Sequence, residues 1–141
     1  MDKDRLMHSY KVAIKMQEIG RKLQLDDNQI NELFILGLNH DIGYHFTSDH
    51  HIHNKVGGEI LKQSNYKCWQ EVYYHGDIQS EYQSLYLDIL NLSDMQIDKY
   101  GNDIGFTGRL IDIKNRYTEE SNVYQKCKKL IKNLQQKYPK I

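Results

Sequence analysis

Proline is nearly absent: the one proline in 141 residues, Pro139, stands at the extreme end. A proline-free interior puts no obstacle in the way of long helices. Cysteine is scarce as well. Cys68 and Cys127 form no CxxC pair, so no disulfide framework is expected, and the thiols read as reduced ones in the cytoplasm. There is no long apolar run. The longest, Leu33-Phe34-Ile35-Leu36, is far short of the ~20 residues that cross a bilayer, and no basic start leads into an apolar stretch as in a secretory signal. An excess of either charge is also missing. Lys plus Arg and Asp plus Glu are 19 each, which argues against a dedicated nucleic-acid binder. The chain is 39% apolar and 27% charged, the balance of a folded globule rather than a disordered segment. Its length suits a single domain over residues 1–141, able to bury roughly 70% of its unfolded surface.

What the chain does have is histidine. His8, His40, His45, His50, His51, His53 and His75 all lie in the first 75 residues, and none follows. The apolar pattern around them is helical. Val12, Met16, Ile19 and Leu23 recur at helical steps over 5–23, with His8 one turn earlier on the same stripe. Asp26 and Asp27 suit the cap of a second helix near 28–40, with Ile30, Leu33, Phe34, Gly37 and Leu38 inward and Gly43 as its stop. Extending that face carries His40 and Asp41 inward. Residues 44–52 read as a polar loop. Further helices are expected near 53–64, 67–76, 80–97, 107–116 and 119–138. The one near 80–97 is apolar on several faces and therefore central. The whole predicts an all-α bundle of about six to seven helices.

Six ionisable residues fall on or beside apolar faces: His8, His40, Asp41, His53, His75 and Asp94. Desolvating such groups without partners costs several kcal/mol. A divalent metal satisfies imidazole and carboxylate together, and helical bundles build metal sites from inward side chains of this kind. His45, His50 and His51 read as loop histidines. No Ser-His-Asp or Cys-His pattern is evident, so a metal-activated water is the expected nucleophile, with Asp41 and Asp94 orienting it. Mixed imidazole and carboxylate donors suit one or two divalent transition metals such as Mn, Fe, Ni or Zn. Arg109 and Arg116 are the candidate guanidinium groups for an anionic substrate group. Residues 109–141 carry nine Lys or Arg against three Asp or Glu, an excess that reads as a solvated face rather than a nucleic-acid patch.

Several segments resemble the HD-domain superfamily of metal-dependent phosphohydrolases, in particular its small stand-alone bacterial members. His8-Ser9-Tyr10-Lys11-Val12-Ala13 resembles its opening segment, and Asn39-His40-Asp41-Ile42-Gly43 its His-Asp signature. His53-Asn54-Lys55-Val56-Gly57-Gly58, Tyr74-His75-Gly76 and Leu92-Ser93-Asp94-Met95 resemble the segments that follow, as does Arg109 to Tyr117. The resemblance implies an HD-like fold with a metal held by His8, His40, Asp41 and Asp94. It also implies a second ion held by His53 and His75, with Asp41 bridging; His50 or His51 is an alternative to His53. The position after Ile42-Gly43, often a phosphate-binding Lys or Arg in such proteins, is Tyr44 here. The implied activity is hydrolysis of a nucleotide or other small phosphate ester. A metal-bound nucleotide-sensing module without turnover is the alternative.

Overall fold

A computed structural model describes residues 1–141. The chain forms seven α-helices and no strand: α1 (Lys3–Lys22), α2 (Asp27–Asn39), α3 (His53–Gln63), α4 (Trp69–Tyr74), α5 (Leu85–Asp94), α6 (Gly105–Tyr117) and α7 (Asn122–Lys137), with a 3-10 turn at Ile42–His45 after α2. No helix is long and apolar enough to cross a membrane.

The ends of the helices follow local chemistry. The Asp2 carboxylate accepts from the Arg5 amide to start α1, and Asp26 forms a reciprocal capping box with Gln29 at α2. The helix expected over 80–97 is shorter at both ends. Ser84 is extended and its hydroxyl accepts from the Leu87 amide, so α5 cannot start before Leu85. Beyond Met95 the chain turns, closing an isolated antiparallel bridge between Ile97 and Asp103. The segment expected as a helix over 67–76 narrows to Trp69–Tyr74. The inward face of α2 also differs from expectation: Leu36 is buried and Leu38 is 39% exposed. Leu36 lies one turn beyond Leu33 and one turn before His40, while Leu38 is rotated off that stripe.

Val12, Met16 and Ile19 of α1, Leu33 and Leu36 of α2, Val72 of α4 and Ile89, Leu90 and Leu92 of α5 form the centre of one apolar core. Helix α5 is its axis, since from Leu87 to Ile97 every side chain but Asp88 is buried. Leu130, Ile131 and Leu134 of α7 close the core from one side. Gly37 sets the spacing of α1 and α2. A Cβ there would lie 2.5 Å from the Ala13 Cα, so only glycine lets the two helices come this close, and that brings His8 and His40 together.

Candidate metal centre

The six inward polar residues meet at one place. His8 projects from the buried face of α1, while His40 caps α2 and Asp41 follows it. His53 opens α3, His75 caps α4 and Asp94 ends α5. The apolar stripes thus deliver a ligand-type residue wherever they run out toward the same end of the bundle.

The orientation of each imidazole is fixed. Nδ1 of His8 lies 2.8 Å from the Asp98 carbonyl, Nδ1 of His40 2.7 Å from Gly37, Nδ1 of His53 2.9 Å from His50 and Nδ1 of His75 2.6 Å from Val72. A carbonyl oxygen only accepts, so all four Nδ1 atoms donate and all four Nε2 atoms face inward. There they meet carboxylates. Asp41 Oδ2 is 3.5 Å from His8 Nε2 and 3.3 Å from His40 Nε2. Asp41 Oδ1 is 3.1 Å from His53 Nε2 and 3.4 Å from His75 Nε2. Asp94 Oδ1 is 2.9 Å from His8 Nε2 and 3.5 Å from His40 Nε2. One carboxylate therefore faces two histidine pairs, one oxygen to each.

This donor set fits a divalent cation. With each Nδ1 proton committed to a carbonyl, neutral imidazoles present only lone pairs to carboxylate oxygens. His53 Nε2 and His75 Nε2 lie 3.2 Å apart. His40 Nε2 is buried with no hydrogen-bond partner, an orphaned atom that demands an explanation. Protons or a metal ion are the species that reconcile so many electron pairs. Without metal the protons do it. Burial alone would lower the pKa of His40, but the Asp41 and Asp94 carboxylates outweigh it and hold the imidazole well above its ordinary value. Burial alone would raise Asp41 and Asp94, yet the histidines around them hold both well below the carboxylate range.

The pH dependence of the metal-free protein follows. The two aspartates contribute stability that is present above their ordinary pKa of 3.8 and is lost as pH falls through their depressed folded values. His40 contributes stability that is present below its ordinary 6.5 and is lost as pH rises through its raised folded value. Denaturant titrations of chelator-treated protein are expected to show this stabilisation at its fullest between those ordinary values. A metal bound among these imidazoles would replace the His40 proton, so added metal should move the optimum to higher pH. An optimum that stays put on metal addition contradicts this.

The remaining expected residues stand outside the cluster, the two arginines at its border. His45 contacts the N-terminal amine and joins none of the groups of metal-type donors. His50 and His51 are exposed on the cleft and group with Asp49 instead. Arg109 and Arg116 line the cleft from α6, both held by the Asp112 carboxylate at 3.2 and 3.1 Å, and Arg109 Nε also approaches the Asp94 carbonyl at 3.5 Å. One residue that the sequence reading did not single out is also here. Arg5, one turn before His8 on α1, places Nη1 3.8 Å from Asp41 Oδ2.

The HD domain family matches residues 5–135. This chain belongs to the HD domain family. HD domains are typically metal-dependent phosphohydrolases, and the His-Asp cluster of this one is suited to a divalent metal. No curated protein and no solved structure matches the chain.

In this HD domain, Gly43 does not stop α2, which ends at Asn39 with His40 as its cap. Its role is a close approach. A Cβ on Gly43 would sit 1.8 Å from the His53 carbonyl oxygen, and one on Gly57 would sit 2.9 Å from the Gly43 amide nitrogen. The turn after the His-Asp pair thus packs directly on the first turn of α3. Gly43→Ala is expected to push α3 away, costing about 1–3 kcal/mol in denaturant unfolding as overpacking does. It should also weaken metal binding by displacing His53. Unchanged stability and metal content together would remove this role.

Proposed function

We propose that this HD domain is a metal-dependent phosphohydrolase acting on a nucleotide or another small phosphate ester. The observation that carries the reading is the cluster of four inward Nε2 atoms on two aspartates, opening into a cleft of about 710 Å³. That volume suits a small organic phosphate. Arg5, Lys55, Lys99, Arg109, Arg116 and Lys126 line it, a cationic wall for an anionic substrate. The neutral overall charge makes this a local attraction rather than a broad basic surface.

His8, His40, Asp41 and Asp94 are the proposed holders of one ion, and His53 and His75, sharing Asp41, those of a second. When bound, a divalent transition metal supplies an acidified water and positive charge for phosphoryl oxygens. The chain's own groups do the rest. Asp41 and Asp94 remain ionised at neutral pH and orient the attacking water by accepting its protons in hydrogen bonds. Arg109, steadied by Asp112 and the Asp94 carbonyl, and Arg116 beside it, bind more distant phosphate oxygens.

The test is a panel of nucleotides, phosphomonoesters and phosphodiesters, presented to protein loaded in turn with Mn²⁺, Fe²⁺, Ni²⁺ and Zn²⁺. Metal-dependent release of phosphate or a nucleoside monophosphate is expected. Tight binding of one nucleotide with no turnover on the whole panel would replace the reading by a nucleotide-sensing module.

A further inference from the structure

Arg5 stands out among the cations of the cleft. Its guanidinium carbon lies 3.4 Å from the centroid of the Tyr44 ring. The same ring stacks on the His53 imidazole, with centroids 4.1 Å apart and planes 14° off parallel. Two flat groups this close to one centroid cannot share a face, so Tyr44 is the middle layer of a three-layer stack, Arg5–Tyr44–His53. A guanidinium on an aromatic face is fixed in its plane while its N–H groups stay free at the edge.

Those N–H groups make no hydrogen bond of good geometry, the Tyr44 hydroxyl being only close enough to feel the guanidinium. The 3.8 Å approach to Asp41 Oδ2 is too long for a hydrogen bond, and the side chain is 34% exposed on the cleft. Arg109 and Arg116, by contrast, are both engaged by Asp112. Arg5 is therefore a guanidinium held flat beside the Asp41 carboxylate, with its donors uncommitted. The ligand that matches such a fork is a tetrahedral oxyanion, taken by two parallel N–H···O bonds.

We infer that Arg5 binds the phosphoryl group of the substrate at the metal centre, and that Tyr44 is the positioning residue that holds Arg5 there. The inference rests on the phosphohydrolase reading for the word substrate, but not for the anion itself. Its test therefore uses inorganic phosphate, titrated calorimetrically into metal-loaded protein, with metal content measured on the same samples.

Arg5→Ala is expected to weaken phosphate binding about 10- to 100-fold, the range of a hydrogen bond between charged groups, with full metal retained. Arg5→Lys keeps the charge and loses the fork, so it should recover only part of the affinity. Tyr44→Phe preserves the stack and should stay within about twofold of wild type, while Tyr44→Leu should lose affinity nearly as Arg5→Ala does. If a hydrolysed ester has been found, Arg5→Ala should raise its KM more than it lowers kcat. Phosphate binding by Arg5→Ala within twofold of wild type overturns the inference. So does a loss that merely tracks lost metal, which would make Arg5 a charge partner of Asp41 alone. Hydrolysis intact in Arg5→Ala sinks this inference and leaves the phosphohydrolase reading standing. Arg5-dependent phosphate binding without turnover on any ester does the reverse.

Discussion

Asp41→Ala is expected to strip the protein of metal. Asp41 is the one side chain that faces all four histidines, with Oδ2 toward His8 and His40 and Oδ1 toward His53 and His75. Its removal takes an anionic oxygen from both halves of the centre at once. It also leaves His40 fully buried with a single carboxylate, Asp94, to balance its charge. Loss of a supporting residue around a metal site costs 10- to 100-fold in affinity, and loss of a shared ligand should exceed about 100-fold. Elemental analysis of untagged protein after dialysis against dilute metal measures this. Wild type should hold one or two equivalents and Asp41→Ala essentially none. Equal metal in both proteins would end the assignment of the cluster as the metal centre.

Asp94→Asn should act differently, cutting turnover while sparing part of the metal. The substitution keeps the volume at the end of α5 and removes the negative charge that faces His8 at 2.9 Å and His40 at 3.5 Å. His53 and His75 face Asp41 Oδ1 at 3.1 and 3.4 Å, while only His75 comes within 4.8 Å of Asp94, so this half should keep its ion through Asp41. A fall in kcat of at least about 10²-fold is expected, the lower bound for losing a group that manages a proton in the transition state. Helix content by circular dichroism should be unchanged. Elemental analysis decides between the versions of the centre. Retention of roughly half the wild-type metal supports two separable ions sharing Asp41, and complete loss supports a single ion that needs both carboxylates. Wild-type turnover in this variant would remove Asp94 from the reaction.

Much of the centre was legible because helical periodicity projects along an axis. Val12, Met16 and Ile19 point back to His8, Leu33 and Leu36 point on to His40, and Leu87 and Leu90 lead to Asp94. A residue that continues such a stripe shares its face, and in this fold the stripes end together. Other features were not legible for physical reasons. The early end of α2 and the late start of α5 depend on the His40 backbone and the Ser84 cap, which outweigh side-chain periodicity. Gly43 looked like a helix stop, because sequence shows that a glycine is present but not which backbone crosses it. Arg5 escaped notice because its partner, Tyr44, is remote in sequence and the stack is purely tertiary.

The braces behind the histidines have a consequence for how the protein can change over time. Each Nδ1 proton goes to a main-chain carbonyl: Asp98, Gly37, His50 or Val72. A side-chain carboxylate in that place could be deleted by one codon change, whereas a carbonyl belongs to every residue type. Exposed His50 can therefore drift to other amino acids and still hold its imidazole, provided the backbone keeps its path, whereas Val72 is held by the core and Asp98 by the hydrogen bonds its carboxylate accepts from Tyr100 and Asn102. The outer layer of this centre is thus encoded in the course of the chain rather than in its letters, and it leaves little trace in the sequence it protects.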